Sequence, residues 1–372
     1  MPRAALLTAP GRPLEVVDLD LTAPRAGEVR VRIAACGICH SDLHVQQSGL
    51  PNLLFPCVLG HEASGVVEEI GPDVDHLAVG DHVILTVIPQ CGKCAFCLRG
   101  QRTLCTNTSV LYSGVALDGT ARFSHAGRGV GQMAGLGAYS EEVVVPAISA
   151  VRIDVEMPLL PAALIGCGVV SGFGAVTHVA ALTAGQTIAV IGTGGLGLSA
   201  VQAARIAGAG RIIAIDLKAG KLELARSVGA TDVIDASAGD PAKQVEDLLG
   251  GDGVDVTCDF VVNHATVGQA LAMTRPGGVT VITGFGDRTV ELPVTPFIRA
   301  GRTLKGNYMG MADFGRDFPK LVRWYQEGTL QLDAMIGQTF SLDDVNAALA
   351  AAHDGEAARA VLVLDEKQRA GG

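Results

Sequence analysis

The sequence has few aromatic residues and no excess of positive charge. Aromatic residues make up 4% of the 372 positions, and 28 Lys and Arg stand against 38 Asp and Glu, a net charge of −10. No basic patch stands out that would neutralise phosphates, which argues against a nucleic-acid partner. With 48% hydrophobic residues, the chain can nevertheless build a sizeable core.

Long uninterrupted apolar runs are also missing. The least charged stretch, 159–204, contains Pro161, His178 and many glycines, so no window of ~20 residues is predicted to span a membrane. The first residues, MPRAALLTAPGRPLEVV, lack the apolar core of a signal peptide, which predicts a cytoplasmic protein. Nine cysteines in such a chain are predicted to serve metal binding or catalysis rather than disulfides.

The pattern of the sequence changes along the chain. The first part, to about residue 150, predicts strands in EVRVRIAAC, ASGVVEEIG, GDHVILTV and YSEEVVVP. After about residue 170, the strands TIAVIG, RIIAID, DVID, VDVTCDFV, VTVITG and TLKGNY alternate with helices. This alternation predicts a parallel, doubly wound sheet of the dinucleotide-binding type. The helix in TVGQALAMTRPGG is predicted to stop at its glycines.

The two ends of the chain are predicted to share one domain. From about residue 312, FGRDFPKLVRWYQEG and LDDVNAALAAAHDGE predict helices, and RAVLVLD predicts a final strand like those of the N-terminal part. We therefore predict a first domain of residues 1–170 and 312–372, with a nucleotide-binding domain of residues 171–311 inserted into it.

The motif GTGGLG follows the predicted strand TIAVIG and opens a helix, which is the context that G-x-G-x-x-G requires. Gly192 permits the tight turn, Gly194 lets the backbone approach a pyrophosphate, and Gly197 lets the helix pack on the sheet. Gly195 and Leu196 belong to the helix N-terminus, whose N–H groups favour an anion.

Asp216 ends the strand RIIAID, about 20 residues past the glycine motif, where a carboxylate accepts hydrogen bonds from both ribose hydroxyls. Its charge would repel a 2′-phosphate, so the sequence favours NAD over NADP. The alternative is a solvated residue at a strand end. Lys221, about one helical turn further on, is a second candidate for a ribose contact, and its alternative is a surface lysine.

The stretch CGKCAFCLRGQRTLC holds Cys91, Cys94, Cys97 and Cys105. Thiolates so close in sequence can close one tetrahedral shell around a structural zinc ion. An iron–sulfur cluster is the competing interpretation. The polar, glycine-containing loop around the cysteines favours zinc.

Residues 36–40 read CGICH, which fits a haem attachment motif, a redox dithiol or part of a zinc site. The lack of an export signal disfavours haem. Cys39 could join His61 of GHE and Cys167 of LIGCG in a set of two thiolates and one imidazole, which leaves a fourth position open as in a catalytic zinc site. Spacing alone does not decide among these interpretations, because the ligands are scattered.

Six stretches, in this order, resemble the zinc-dependent medium-chain alcohol dehydrogenases: CGICHSDLH, GHEASGVVEEIG, CGKCAFC, LIGCG, GTGGLGLSAVQAA and RIIAIDLKAGKLELARSVGAT. The resemblance covers nearly the whole chain and is closest to the long subgroup with the liver-type and thiol-dependent formaldehyde dehydrogenases. It implies an α/β fold, with a β-rich GroES-like catalytic domain and a Rossmann NAD-binding domain. It also implies two zinc ions per subunit, and hydride transfer between nicotinamide and an alkoxide at the zinc.

The resemblance implies roles for single residues around the catalytic zinc. Cys39, His61 and Cys167 correspond to its ligands, and Asp42 corresponds to the carboxylate that orients His61. Glu62 corresponds to a residue near the zinc that tunes it or exchanges as a ligand.

Further roles follow from the same resemblance. Ser41 and His44 correspond to a relay that carries the alcohol proton to solvent. His40 and Arg359 correspond to residues that contact the pyrophosphate of the cofactor. Cys36 matches no ligand and is expected to be a buried structural thiol.

The substrate pocket departs from the liver-type pattern. Val87 stands where those enzymes carry an aromatic residue, and Met133 and Phe285 are expected to line the same pocket. A missing aromatic wall should admit bulky or aromatic primary alcohols. Glutathione-linked relatives use an arginine near Ser109 and an acidic residue before FP, and this chain has neither. A formaldehyde adduct of another thiol therefore remains the alternative substrate.

Residues 110–137 resemble a loop of dimeric relatives, so a homodimer is expected, with a tetramer as the alternative. A non-catalytic protein that binds zinc and a nucleotide is the alternative of another class. The intact candidates for all ligands and for both relay residues argue against it.

Overall fold

The structure is a computed structural model, and it describes residues 1–287, 289–355 and 359–365. The chain divides into two units, of which the first comprises Met1–Cys167 with Asp313–Gly372 and the second comprises Gly168–Ala312. The sequence prediction places these two boundaries at 170 and 312. The last residues of the predicted first domain, 366–372, lie outside the described part of the structure.

The described strands, in chain order, are β1 (Arg3–Leu7), β2 (Glu15–Asp18), β3 (Asp20–Leu21), β4 (Glu28–Gly37), β5 (Cys57–Val58), β6 (Glu62–Ile70), β7 (His82–Leu85), β8 (Phe123–His125), β9 (Arg128–Gln132), β10 (Glu142–Pro146), β11 (Ala150–Arg152), β12 (Thr187–Ile191), β13 (Arg211–Asp216), β14 (Asp232–Asp235), β15 (Val254–Asp259), β16 (Thr274–Ile282), β17 (Thr303–Gly306), β18 (Thr339–Phe340) and β19 (Val361–Val363).

The described α-helices are α1 (His40–Ser48), α2 (Ala95–Leu98), α3 (Val110–Ser113), α4 (Leu159–Ala163), α5 (Gly168–Gly174), α6 (Gly195–Ile206), α7 (Ala219–Ser227), α8 (Pro241–Leu249), α9 (His264–Met273), α10 (Val294–Arg299), α11 (Phe314–Gln326) and α12 (Val345–Asp354).

The first unit is built around strand β4, which pairs antiparallel with β6, β10 and β19. The alternation in EVRVRI buries Val29, Val31 and Ile33 and leaves the intervening arginines only half-buried. This strand lies in a sheet of order β11-β7-β6-β4-β19-β18, and a second sheet has the order β2-β1-β5-β9-β8-β3. The last strand in the described part of the chain thus pairs with the strand that leads into CGICH, with Leu362 opposite Cys36.

Two residues, Ile38 and Cys39, separate β4 from helix α1, which was not predicted from the sequence. Cys39 is its N-cap in extended conformation, and the Asp42 carboxylate accepts the Cys39 backbone N–H at 3.0 Å. Its buried residues are Asp42, Leu43 and Val45, so one of three is a carboxylate. Apolar periodicity is weak in such a helix, and its N-cap is a cysteine rather than one of the residues that usually mark a helix start.

The second unit contains a parallel sheet whose described strands have the order β14-β13-β12-β15-β16-β17. The first of these strands in the sequence, β12, lies in the middle and pairs with β13 on one side and β15 on the other. The strand order therefore reverses at the carboxyl end of β12. In doubly wound sheets this switch point is where ligands bind.

Two details of the second unit differ from the sequence prediction. Helix α9 ends at Met273, and Thr274–Ile282 is a strand, so the predicted glycine stop is wrong. Pro276 disfavours helical conformation in the residue before it, which explains an end ahead of the glycines. Helix α8 was not predicted, although Asp240 caps it and Gly250 ends it in the left-handed conformation.

None of the helices in the described part is by itself long and apolar enough to cross a membrane. One bent pair of helices, Leu159–Gly166 and Gly168–Ala180, has the length and apolar composition of a membrane span when both helices are counted together.

Candidate active site

The first unit brings three predicted ligands together. Sulfur atoms of Cys39 and Cys167 and a ring nitrogen of His61 lie within 4.8 Å of one another, and all three residues are buried. Cys39 caps α1, His61 precedes β6, and Cys167 follows a short 3-10 turn. Thiolate and imidazole donors in this number fit a zinc ion. We call these residues the three-ligand set.

The two thiols of the three-ligand set differ in acidity. Hydrogen bonding with Cys167 lowers the pKa of Cys39 well below the usual range, and His61 lowers it further against the effect of burial. The same contact, together with burial, raises the pKa of Cys167. The set therefore contains one thiol that loses its proton readily, as a metal ligand must.

Asp42 is fully buried and supports the imidazole of the set. Its Oδ1 lies 3.2 Å from His61 Nδ1 and accepts the Gly60 N–H at 3.1 Å. A proton on Nδ1 leaves Nε2 as the nitrogen available to a metal. Burial lowers the pKa of His61, but the charge of Asp42, its hydrogen bond and the contact with Cys39 together outweigh burial and raise that pKa well above its usual value.

Next to His61, the predicted residue Glu62 forms a buried ion pair with Arg359, with Nη2 at 2.8 Å from Oε2 and 3.1 Å from Oε1. Burial raises the pKa of Glu62 to about 7, and Arg359 opposes this shift. The Arg359 guanidinium thus contacts a carboxylate beside the three-ligand set. Its expected contact with a pyrophosphate stays a prediction.

The other predicted residues of this region lie in the first turns of α1. Ser41 is half-buried, and its Oγ lies 3.1 Å from His61 Nε2. His44, three residues further along the helix, is exposed, as is His40. Positions three apart lie on the same side of a helix, so Ser41 and His44 are suitably placed for a relay, a role that stays a prediction.

The four cysteines of the predicted structural site also come together, with all sulfur atoms within 4.8 Å of one another. The Cys91–Cys97 and Cys94–Cys105 sulfur distances are 4.0 and 3.9 Å. A tetrahedral zinc ion with Zn–S bonds of about 2.3 Å needs sulfur atoms about 3.8 Å apart, so this four-cysteine set fits zinc. A hydrogen bond from the Cys97 backbone lowers the pKa of Cys94 to about 5.

The glycine-rich turn of the second unit follows β12. Gly192 has φ +83°, the left-handed region that favours glycine. A Cβ on Gly194 would meet nothing within 4 Å, whereas on Gly197 it would lie 1.9 Å from the Gly192 carbonyl oxygen. The backbone is therefore open at the second glycine and closely packed at the third, as the motif predicts. Gly195 and Leu196 open the first turn of α6.

Asp216 ends β13 and is held against this turn. Its Oδ2 accepts hydrogen bonds from the Thr193 backbone N–H at 2.8 Å and from the Thr193 hydroxyl at 3.0 Å. Its Oδ1 accepts the Leu217 N–H at 2.8 Å. Thr193 was not among the predicted site residues, although a hydroxyl inside a glycine motif is a signal for such a bond. Lys221 is half-buried on α7, and its ribose contact stays a prediction.

The three residues expected to line the substrate pocket have different surroundings. Val87 and Met133 are buried in the first unit, with 3% and 4% of their surface exposed. Phe285 belongs to the second unit and is 70% exposed. Their common role in a pocket stays a prediction.

Comparison with known proteins decides the family. Residues 25–158 match the alcohol dehydrogenase GroES-like domain, and residues 195–327 match the zinc-binding dehydrogenase domain. An NDMA-dependent alcohol dehydrogenase of Amycolatopsis methanolica is 38% identical over 367 residues, which covers 97% of this chain and 98% of the relative. The chain belongs to the zinc-dependent alcohol dehydrogenase family.

Two further relatives extend this alcohol dehydrogenase comparison. An S-(hydroxymethyl)glutathione dehydrogenase of Synechocystis is 39% identical over 364 residues, covering 97% of this chain and 99% of the relative. The crystal structure of benzyl alcohol dehydrogenase from Acinetobacter calcoaceticus matches with a TM-score of 0.92 at 29% identity, covering 98% of this chain and 99% of that one.

These similarities confirm the predicted fold class, a β-rich GroES-like domain with a doubly wound Rossmann sheet. They also confirm the predicted activity at the level of the family, a zinc-dependent oxidoreductase that acts on alcohols. The roles of the individual site residues stay predictions.

Proposed function

We propose that this chain transfers a hydride between a primary alcohol, bulky or aromatic, and NAD, with a zinc ion held by Cys39, His61 and Cys167. The three-ligand set carries the proposal, because two thiols and one imidazole lie buried within 4.8 Å of one another. No fourth His, Cys, Asp or Glu joins the set among the described residues. A zinc site with three protein ligands keeps a position for the substrate oxygen.

The chain's own residues must remove the hydroxyl proton of the alcohol. When bound, zinc supplies a Lewis acid that makes this proton more acidic, and with two thiolates the site stays formally neutral. Ser41, beside the imidazole of the set, receives the proton in this proposal. The exposed His44 releases it to solvent.

Two buried carboxylates support the set. Asp42 holds the proton of His61 on Nδ1, so that Nε2 can bind the metal. Glu62 and Arg359 form an ion pair beside it and keep a second carboxylate close to the metal without a net charge.

NAD is the proposed cofactor because the second unit offers an open backbone at Gly194 and a fixed carboxylate at Asp216. A carboxylate in this place accepts hydrogen bonds from ribose hydroxyls and repels a 2′-phosphate. His40, Lys221 and Arg359 are the further proposed contacts of the cofactor.

The substrate proposal rests on Val87, a small side chain where liver-type enzymes carry an aromatic ring. The similarity to a benzyl alcohol dehydrogenase supports an aromatic alcohol. A second candidate is the formaldehyde adduct of a thiol, which the 39% identity to an S-(hydroxymethyl)glutathione dehydrogenase supports. Ser109 and the uncharged NLLFP stretch argue against glutathione as that thiol.

Three further parts of the proposal concern the whole molecule. We expect two zinc ions per chain, one in each set, and a homodimer, with a tetramer as the alternative. The first unit is assigned the chemistry and the second unit the nucleotide. The cytoplasmic location and the lack of a nucleic-acid partner stay predictions.

The test is a panel of ethanol, terpenoid alcohols and benzyl alcohol, each assayed with NAD, with NADP and with NDMA as acceptor. We expect kcat/KM to be higher for benzyl alcohol than for ethanol, and higher with NAD than with NADP. Equal rates with NADP would contradict the role of Asp216. Activity on formaldehyde only when a small thiol is added would favour the second candidate, and no activity in any arm would contradict both.

A further inference from the structure

A tyrosine that the mechanism above does not use lies against the segment that carries His61. Tyr139 is fully buried, and its backbone N–H donates to the Leu59 carbonyl at 2.9 Å. The neighbouring Ala138 N–H donates to the Gly60 carbonyl at 2.9 Å. These two bonds tie the chain around Tyr139 to the two residues that directly precede His61.

The ring of Tyr139 is fitted to Gly60. Gly60 has φ +90°, and a Cβ there would lie 2.3 Å from Cδ1 and 2.8 Å from Cε1 of the ring. Glycine therefore allows the ring to lie directly on the backbone. The packed ring in turn fixes the direction of the Gly60 N–H, which donates to Asp42 Oδ1.

The hydroxyl of Tyr139 is a buried hydrogen-bond donor that lacks a well-placed acceptor. Among the described residues, no group meets both the distance and the angle of a well-formed hydrogen bond with its oxygen. Buried hydroxyls in folded proteins nearly always have a partner, because leaving one unpaired is costly.

Asp42 is the acceptor that suits this donor. Within the described part of the chain, Cys39, Gly60 and His61 supply its three hydrogen-bond donors. The two oxygens of a carboxylate offer about four acceptor sites, so one is open. The phenol lies within reach of this carboxylate, short of ideal hydrogen-bond geometry. Burial, then the charge of Asp42 and also a hydrogen bond with Asp42, raise the pKa of Tyr139 well above its usual range.

We propose that Tyr139 is a positioning residue for the catalytic metal, because its hydroxyl donates the fourth hydrogen bond to Asp42 and Asp42 in turn holds His61. The inference rests on the proposed zinc site of Cys39, His61 and Cys167. A fully bonded carboxylate has one orientation, and it keeps the imidazole in the orientation that the metal needs. Tyr139 could not be singled out from the sequence, because it is far from the other residues along the chain.

The test uses Tyr139→Phe, which keeps the ring on Gly60 and removes only the hydroxyl. Zinc release from the metal-loaded protein into an excess of a chromogenic chelator is followed in time, and Cys167→Ser identifies the phase of the three-ligand set. We expect Tyr139→Phe to release this zinc about 10-fold faster, as for other groups that orient metal ligands. Release from the four-cysteine set should not change. Tyr112→Phe is the matched control, since its side chain is 49% exposed, and it should behave like the wild type.

A double-mutant cycle shows whether Tyr139 acts through Asp42. In the Asp42→Asn background, Tyr139→Phe should accelerate zinc release by less than about 2-fold, because the two residues act as one unit. Wild-type release rates in Tyr139→Phe would overturn the inference. Equal acceleration of both phases together with a lower unfolding temperature would also overturn it, in favour of a purely structural role. If Cys167→Ser loses no phase, the zinc site itself is wrong and the inference falls with it.

Discussion

The two metal sets of this alcohol dehydrogenase are built in opposite ways. The four-cysteine set comes from one short stretch, and Cys91 and Cys94 are only half-buried. The three-ligand set is buried and takes its members from three distant parts of the chain. It also rests on the carboxylate of Asp42 and the ion pair of Glu62 with Arg359.

The two sets depend on the fold to different degrees. A loop with four nearby thiols can close a metal site by itself, and backbone N–H groups of the same loop bond the sulfur atoms. The three-ligand set exists only after β4 has led into α1, and after His61 and Cys167 have been brought beside Cys39. We therefore expect changes in the four-cysteine set to alter mainly the stability of the protein. Changes in the three-ligand set should alter mainly its catalytic activity.

The greatest loss of activity is expected at one of the two cysteines of CGICH, Cys39, and not at the other, Cys36. Cys39→Ser should lower kcat/KM by about 1,000-fold or more, because the site loses a zinc ligand. Cys36→Ser is the control, since Cys36 is fully buried in β4 outside the three-ligand set, and it should keep most of the activity. Steady-state kinetics of both variants decide this. If Cys36→Ser were inactive and Cys39→Ser active, the ligand assignment would be wrong.

Loss of a cysteine from the four-cysteine set should lower stability rather than activity. Cys94→Ser should lower the thermal unfolding midpoint by roughly 5 °C or more, since structural zinc contributes to folding free energy. The turnover number per remaining zinc should stay within about 2-fold, because the chemistry lies in the other set. Lys93→Ala, an exposed change in the same loop, should alter neither quantity. Lost turnover at unchanged stability would reverse the proposed roles.

The buried ion pair beside the three-ligand set should be felt in stability too. Arg359→Leu leaves Glu62 buried without its cation, which should cost about 3–5 kcal/mol of unfolding free energy. Urea unfolding can be followed by Trp324, the single tryptophan of the chain, which lies in the first unit. The double variant with Glu62→Gln should recover part of the loss. Equal stabilities of the single and double variants would contradict a direct pair.

The weakest change is expected in the affinity for NAD, in a variant that alters neither metal set. Thr193→Val keeps the shape of the side chain and removes the hydroxyl that bonds Asp216. A lost hydrogen bond of about 1 kcal/mol should raise the Kd for NAD about 5-fold. Thr193→Ser should restore wild-type binding, as measured by titration calorimetry, and zinc content should be the same in all three proteins. An unchanged Kd in Thr193→Val would mean that the backbone bond alone holds Asp216.

The contrast between the two metal sets also explains how much of the site could be predicted from the sequence. Cys91 to Cys105 could be grouped from spacing, because neighbours in sequence are neighbours in space. The roles of the glycines could be inferred because strand, turn and helix follow one another directly. The grouping of Cys39, His61 and Cys167 needed the resemblance to a family, since spacing carries no information across intervening strands.

Other features were missed for different reasons. Helix α8 had its signals in the sequence, with Asp240 as N-cap, Pro241 in the first turn and Gly250 at its end. Helix α1 had no apolar periodicity to reveal it. The packing of Tyr139 on Gly60 depends on a meeting of two distant segments, which no local pattern encodes.

The separation into two metal sets is tested by the zinc content per chain of the wild type, Cys167→Ser and Cys105→Ser, measured on folded protein. We expect two zinc ions in the wild type and one in each variant. The single ion left in Cys105→Ser should support turnover, and the one left in Cys167→Ser should not. Two zinc ions in Cys167→Ser, or one in the wild type, would contradict the separation into two metal sets.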